Sequence, residues 1–306
     1  MPIKESLERK KITFFVGKGG VGKTTLAAAS AVSLAELVEN QMRILVASTD
    51  PAHSLTDIFG LRYSTGKTIR VYKDLNMDIV QITPKSAGEY TGIHSILKLF
   101  KFMNDRGMPI DLDSISCMIS LAYYSTNLEN HGYGKLIIDS EPTAGLFRLL
   151  ALPETIDTNI ERFVKHPYLS YAFELLNSSL GQFTRHDFME DSQSIAELLK
   201  EFRAILSDHN QTGFIVVTSP ERAVISETKR IMEELQRYGF SIEGVIFNKF
   251  IGEDYDIKTI RANQSRLMRE FQRSSSRVPT TLVQYQGNNL ERQQLYTIGN
   301  RLLENQ

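Results

Sequence analysis

Near its start the chain carries the nine residues Gly17-Lys18-Gly19-Gly20-Val21-Gly22-Lys23-Thr24-Thr25, from which much of its architecture follows. The apolar run 12–16 comes directly before them, and the alanine-rich run 26–35 comes directly after. β-Branched and aromatic residues favour a strand, whereas alanine and leucine favour a helix. The sequence therefore predicts a strand, a glycine loop and a helix in succession, which is the setting that the pattern G-x-x-x-x-G-K-[ST] requires.

A loop of this kind binds polyphosphates. Its glycines let successive backbone N–H groups turn toward the phosphates, and the helix that follows adds the positive end of its dipole. In this chain Lys23 would contact the β- and γ-phosphates, and the hydroxyl of Thr24 would bind Mg²⁺. The alternative is a glycine-rich turn without a ligand. The predicted nucleotide-binding residues of the loop are Gly17, Lys18, Gly19, Gly20, Val21, Gly22, Lys23, Thr24 and Thr25.

Lys18 is a second lysine inside the loop, and an ordinary phosphate loop does not need it. Because it comes too early to follow Lys23 onto the same phosphates, we expect its side chain to point outward, where the nucleotide of a partner subunit would lie. There it would act like an arginine finger, which typically contributes ~10³-fold or more in rate. The alternative is a solvated loop lysine.

Composition narrows the class of protein. The 306 residues are 42% hydrophobic, enough for one large α/β domain or two small ones. The net charge of −1 offers no basic field for nucleic acid. A charged start without a secretory apolar region, and no run long enough to span a membrane, favour a cytoplasmic location. Cys117 is the only cysteine, which excludes an intrachain disulfide and a zinc site built from paired cysteines.

Short β-branched runs alternate with longer helical patterns, which predicts an α/β fold with a doubly wound, mainly parallel sheet. The predicted strands lie near 12–16, 43–48, 78–82, 135–139, 213–218, 242–247 and 280–283. The predicted helices cover about 23–39, 220–238, 256–272 and 289–303.

Two long segments, about 84–130 and 153–207, interrupt this alternation. Both carry apolar residues at helical spacing and are expected to form one helical subdomain. The positions are Ile93, Ile96, Leu97, Phe100 and Met103 in the first, and Ile195, Leu198, Leu199, Phe202, Ile205 and Leu206 in the second. Either they pack on each other and on the sheet, or they leave an apolar groove for a client helix.

Polar residues at the ends of three predicted strands complete the expected site. Asp50 follows the second strand and could orient the attacking water or act through the Mg²⁺ shell; the alternative is an Asp that caps a turn. Asp139 ends the apolar strand 135–139, which is the expected arrangement for fixing Mg²⁺, often through water. Asn248 ends a later strand, where its amide could contact a purine, or could simply form a turn. No N-K-x-D pattern follows, which favours ATP over GTP.

These motifs resemble the arsenical-pump and tail-anchored-protein-targeting ATPases, within the deviant Walker A branch that includes MinD, ParA and nitrogenase iron protein. The matching blocks are GKGGVGKTT at 17–25, STDPAHSLTDIFG at 48–60, LIIDSEPTAGLFRLLALPE at 136–154, and the stretch 217–248. The resemblance implies an ATP-bound homodimer in which Lys18 contacts the nucleotide of the opposite subunit. It also implies that Asp50 is the catalytic switch I aspartate and that Asn248 lies beside the adenine.

The chain departs from this family pattern in three places. Glu141 replaces a small residue in Ser140-Glu141-Pro142-Thr143-Ala144-Gly145, and the usual histidine after it is missing, so the coupling of this switch can differ. The C-x-x-C zinc site that closes the dimer of fungal and animal targeting factors is absent. Cys117 alone cannot supply the cysteines with which arsenical pumps bind metalloid. The roles of His53 and Cys117 stay open.

The expected function is therefore that of a dimeric Mg²⁺-dependent ATPase whose cycle opens and closes the helical subdomain. The expected partner is a hydrophobic client such as a tail-anchored membrane protein. Two alternatives stay open. One is an ATPase subunit that energises or regulates a membrane transporter, and the other is a switch that holds ATP without hydrolysing it.

Overall fold

The computed structural model of this chain describes residues 3–38, 41–50, 54–62, 66–83, 86, 112–140, 185–252, 258–275, 278–287 and 290–304. The apolar positions predicted between 93 and 103, His53 and the switch residues 141–145 lie outside them.

The described strands form one sheet of eight, in the order β3-β4-β2-β5-β1-β6-β7-β8. Their bounds are β1 (Ile12–Val16), β2 (Ile44–Ser48), β3 (Ile69–Arg70), β4 (Met77–Gln81), β5 (Lys135–Asp139), β6 (Thr212–Thr218), β7 (Ile242–Phe250) and β8 (Thr280–Gln284). Every neighbouring pair is parallel except β3 and β4. The predicted α/β class and mainly parallel sheet are therefore confirmed.

The antiparallel strand β3 is the one described strand that the sequence did not predict. It has only two residues and lies at the sheet edge beside β4. No alternating pattern can appear in two residues, so local sequence could not reveal it. Instead, a side chain from each strand joins the pair: Arg70 Nε donates to Asp78 Oδ1 at 2.7 Å.

Among the residues that the structure describes, seven further helices accompany the one that follows the glycine loop. The described helices are α1 (Ile3–Arg9), α2 (Lys23–Leu37), α3 (Ser54–Ile58), α4 (Leu112–Thr126), α5 (Arg185–Ser207), α6 (Arg222–Arg237), α7 (Lys258–Ser274) and α8 (Arg292–Leu303). Helix α2 is buried on most of its surface because it packs on the sheet and against α8. The two helices approach so closely that a Cβ at Gly299 would lie 2.1 Å from the carbonyl oxygen of Ala29.

The topology explains where a ligand site can form. The chain leaves β1 toward β2 on one side and later returns to β6 on the other, so β1 lies at the point where the winding reverses. In doubly wound sheets, ligands bind at this point, outside the carboxyl ends of the strands. Strands β1, β2, β4, β5 and β6 are fully buried, which leaves the loops at their carboxyl ends to carry the chemistry.

The chain divides into two compact units. The first comprises Met1–Gln81, Leu128–Pro142 and Leu206–Gln306 and contains the whole sheet. The second comprises Ile82–Asn127 and Thr143–Ile205, and its described part consists mainly of α4 and most of α5. In α5 the predicted apolar positions Ile195, Leu199, Phe202 and Leu206 are buried. A helical subdomain built from 84–130 and 153–207 stays a prediction.

Candidate active site

The glycine loop joins the end of β1 to the first residue of α2, as the sequence predicts. Two of its glycines are required by close approach. At Gly17 a Cβ would lie 2.1 Å from the carbonyl oxygen of Val217 on β6. At Gly22, which precedes the helix with φ 95°, a Cβ would lie 2.2 Å from Nδ2 of Asn248. The loop therefore lies tightly against β6 and β7, and a side chain at either position would push it away.

The two lysines of the loop are placed differently. Lys23 is buried, and its ammonium group donates to the carbonyl oxygen of Lys18 at 3.2 Å, so its charge lies inside the loop. Lys18 is 40% exposed and its ammonium group lies 3.2 Å from the carboxylate of Glu227 on α6. The sequence did not indicate this acidic partner, and contact of Lys18 with a partner subunit stays a prediction.

The centre of the site is the carboxylate of Asp139, which is completely buried. Its Oδ2 accepts hydrogen bonds from Thr24 Oγ1 at 2.7 Å and from Ser48 Oγ at 3.0 Å. The sequence predicted that Thr24 and Asp139 share one metal, and the structure brings the two side chains into contact. Ser48, the last residue of β2, was missed because a serine at a strand end carries no distinctive local signal.

Electrostatics at Asp139 favour a cation. Burial raises the pKa of its carboxyl group above the ordinary value, against the opposing hydrogen bonds of Thr24 and Ser48 and the charge of Lys23. Its second oxygen, Oδ1, is buried without a hydrogen-bond partner in the described structure. Mg²⁺ commonly binds through one or two carboxylates together with substrate phosphates, so this donor set fits that ion. The described residues contain no cluster of three or more His, Cys, Asp or Glu side chains that would suit a metal held by protein alone.

The backbone around Asp50 is hydrogen-bonded on two sides. The N–H of Asp50 donates to Ser48 Oγ at 3.2 Å, and the N–H of Thr49 donates to the carbonyl oxygen of Asp139 at 3.1 Å. From the other side, Gln81 Nε2 donates to the carbonyl oxygens of Ser48 and Asp50. Asp50 thus reaches the cleft from a backbone whose position depends on β4 and β5 as well as on its own strand.

Two adjacent residues at the end of β7 hold the glycine loop. Asn248 is 8% exposed, and its Nδ2 donates to the carbonyl oxygen of Val21 at 2.8 Å. Lys249 has a left-handed backbone with φ 60°, and its ammonium group donates to the carbonyl oxygen of Gly20 at 2.6 Å. Contact of Asn248 with a base stays a prediction. Lys249 was missed as a site residue; its place directly after Asn248 was the only signal.

Beside the loop lies an open cleft of about 900 Å³, within the size range of small-molecule sites. Arg292 is one of its lining residues, and its guanidinium group lies 4.7 Å from the centre of the Tyr72 ring and 2.7 Å from the carboxylate of Asp74. The described lining residues are Gly20, Gly22, Lys23, Thr24, Thr25, Asp50, Asp57, Ile58, Phe59, Gly60, Tyr72, Leu290, Glu291 and Arg292. Lys23, Thr24 and Asp50 therefore line the same cleft.

Comparison with known proteins gives a family. The model of the anion-transporting ATPase family matches residues 10–289. A protein of Prosthecochloris vibrioformis, provisionally assigned as an arsenical pump-driving ATPase, is 31% identical over 264 residues, which cover 79% of this chain and 61% of the relative. An ATPase ASNA1 homolog of Cryptosporidium parvum is 30% identical over 250 residues, covering 80% of this chain and 66% of the relative. The ATPase GET3 of Malassezia globosa is 26% identical over 247 residues, covering 79% and 73%.

These matches confirm the predicted resemblance and the assignment to an ATPase family. The chain spans about 61% of the length of the Prosthecochloris vibrioformis relative. None of the helices in the described segments is both long and apolar enough to cross a membrane. With a glycine loop, a buried aspartate and the family match in agreement, the chain belongs to the anion-transporting ATPase family.

Proposed function

We propose that this chain hydrolyses ATP to ADP and phosphate at the glycine loop, with Mg²⁺ bound beside Thr24 and Asp139. The observation that carries this proposal is the contact of Thr24, Ser48 and Asp139. It joins the start of α2 to the ends of β2 and β5 around a buried carboxylate, one oxygen of which has no hydrogen-bond partner among the described residues. A glycine-rich turn without a ligand would not need a buried carboxylate at this place.

In the proposed reaction the triphosphate lies on the loop N–H groups at the start of α2. Lys23 neutralises charge on the β- and γ-phosphates, and Asp50 orients a water molecule toward the γ-phosphorus. The water oxygen bonds to phosphorus as the bond from phosphorus to the β,γ-bridging oxygen breaks. One proton of the water passes to an oxygen of the transferred phosphoryl group, which leaves ADP and phosphate. Mg²⁺, held at Thr24 and near Asp139, would supply positive charge against the phosphate oxygens.

The test of hydrolysis is phosphate release by wild type and by Lys23→Ala. We expect Lys23→Ala to lower turnover at least 100-fold, to the background of the assay, because the charge facing the transferred phosphoryl group is lost (about 10²–10³-fold is typical for one such electrostatic group). Lys11→Ala is the matched control, since Lys11 pairs with Glu129 at 2.7 Å at the opposite end of β1. Unchanged turnover in Lys23→Ala would refute the assignment. Bound but uncleaved ATP in single-turnover experiments would favour the non-hydrolysing switch.

We further place Lys18 at a homodimer interface, where it would contact the nucleotide of the partner subunit. The 40% exposure of its side chain supports this role. Lys18→Ala should leave binding of Mg-ATP to one subunit nearly unchanged and weaken ATP-dependent dimerisation, measured by light scattering. Equal dimerisation of the variant would contradict the role.

The proposed output is nucleotide-gated binding of a hydrophobic client, such as a tail-anchored membrane protein, by a helical subdomain. The relatives named ATPase GET3 and GET3A support it, whereas the buried apolar positions of α5 belong to the packing of the chain itself. Co-expression with a substrate that ends in one transmembrane helix should yield a complex that is lost when that helix is made polar.

The second candidate, an ATPase that drives a transporter, is favoured by relatives assigned to arsenical pumps. Stimulation of turnover by a membrane transporter, without capture of the helix, would select it.

A further inference from the structure

Gln81 is a buried amide at the carboxyl end of β4, next to the proposed active site but outside the set of residues that the reaction uses. It is 2% exposed and lies beside Ser48 in the parallel register of β2 and β4. Both residues end their strands, so the segment from Ser48 to Asp50 leaves the sheet directly beside the Gln81 side chain. The side chain is therefore able to act on the loop that carries Asp50.

The contacts of this amide are specific. Nε2 donates to the carbonyl oxygen of Ser48 at 3.2 Å and to that of Asp50 at 2.8 Å. A primary amide has two N–H donors, so both are used to fasten the two ends of one three-residue segment. The side chains of Leu, Met and Glu, of similar length, have no such pair of donors.

The remaining oxygen of Gln81, Oε1, is buried and has no hydrogen-bond partner among the described residues. A buried acceptor without a partner lowers stability, and such groups are uncommon in folded proteins. Departures from full hydrogen bonding are expected chiefly at functional sites. Packing alone therefore does not account for an amide at this position. We attribute its presence to the two hydrogen bonds that it donates.

The same segment is held from the other side by the proposed metal-binding aspartate. Ser48 Oγ donates to Asp139 Oδ2, and the N–H of Thr49 donates to the carbonyl oxygen of Asp139. Removal of Gln81 would leave this attachment in place and release the side that faces β4. Asp50 would then keep its neighbours but lose its fixed distance from Lys23 and Thr24.

We propose that Gln81 is a positioning residue for ATP hydrolysis, which fixes the backbone of Asp50 so that its carboxylate meets the attacking water. The inference rests on the proposed ATPase function. Gln81 touches neither the substrate nor the reacting atoms and acts only through Asp50. A misplacement of about 1 Å at a reacting group typically costs on the order of 100-fold in rate. Substrate binding, which depends on the glycine loop, should change little.

The variants are Gln81→Leu, which removes both donors at similar size, and Gln81→Glu, which keeps the shape. We expect kcat for Mg-ATP to fall roughly 10- to 100-fold in both, by the same positional argument, with KM and the Kd for Mg-ADP changed less than about 3-fold. Ile79→Val is the matched control because Ile79 is buried in the same strand, where loss of one methyl group loosens packing without touching the Asp50 loop. It should keep the wild-type kcat.

Hydrogen exchange gives a readout that does not depend on activity. The N–H groups of Thr49 and Asp50 should exchange at least about 10-fold faster in Gln81→Leu, and not in Ile79→Val, because local opening of this segment becomes easier. If wild type hydrolyses ATP but Gln81→Leu matches it in kcat, the positioning role is refuted while the ATPase proposal stands. If wild type does not hydrolyse ATP, the ATPase proposal fails. Unchanged exchange at Thr49 and Asp50 in Gln81→Leu would show that the two hydrogen bonds from Gln81 do not hold this segment, and would refute the positioning role independently.

Discussion

Replacing Gly22 by alanine tests how the glycine loop is held against β7. Gly22 has φ 95°, and a Cβ there would lie 2.2 Å from Nδ2 of Asn248. A non-glycine residue in a left-handed backbone costs about 1–2 kcal/mol. The clash would also displace the Asn248 amide and leave the buried carbonyl oxygen of Val21 without its donor, which costs about 1–3 kcal/mol more. The expected loss of stability is therefore about 2–5 kcal/mol.

Gly19→Ala is the matched control within the same loop. A Cβ at Gly19 would have no atom within 4 Å, and its backbone lies outside the left-handed region. Both substitutions restrict the unfolded chain equally, by about 0.4–1 kcal/mol, so that term cancels in the comparison. In urea unfolding without nucleotide, Gly19→Ala should match wild type or exceed it slightly, whereas Gly22→Ala should unfold at clearly lower urea.

A double-mutant cycle with Asn248→Ala separates the two causes. Without the Asn248 amide, Gly22→Ala has nothing to displace, and its added cost should fall to the backbone part of about 1–2 kcal/mol. The two substitutions should thus be less than additive by about 1–3 kcal/mol. Additivity within about 0.5 kcal/mol, or equal stability of Gly22→Ala and Gly19→Ala, would refute the contact between loop and amide.

Two further predictions follow from buried charges. Burial raises the pKa of the Asp139 carboxyl group, so folding favours its protonated form. The stability of the fold therefore decreases as the pH rises from the ordinary pKa of Asp to the raised folded pKa. Asp139→Asn should therefore unfold at higher temperature than wild type at pH 7 without nucleotide, and this gain in stability should shrink toward pH ~4. The same variant should lose Mg-dependent turnover. A variant less stable than wild type at pH 7 would contradict the prediction. The second buried charge is that of Lys135, whose ammonium group donates to backbone carbonyl oxygens at the end of α1. Burial lowers the pKa of Lys135 to about 8, so the protonated lysine lowers the stability of the fold below that pH. Between pH 8 and about 10.5 wild type should gain stability relative to Lys135→Met by up to ~1.4 kcal/mol per pH unit, measured by urea unfolding, and parallel pH profiles would count against it.

Local sequence was sufficient for the parts of the site that lie within single elements. β1 and the start of α2 are found where the nine-residue pattern predicts them, and β5 ends at Asp139 as the apolar run indicates. The reason is that hydrophobic runs, glycines and helix formers act on neighbours along the chain. Lys23, Thr24 and Asp139 could therefore be named from order and spacing alone.

Contacts between distant segments could not be read in this way. Gln81 reaches Ser48 because β4 and β2 are neighbours in the sheet, and Asn248 reaches Val21 across 227 positions of the chain. Lys18 meets Glu227 only because α6 follows β6 next to the loop. Strand order and register set these distances, and neither is encoded in the periodicity of a single segment. The glycine loop could thus be predicted from the amino-acid sequence, whereas the neighbours that hold Asp50 in place are set by the packing of the sheet.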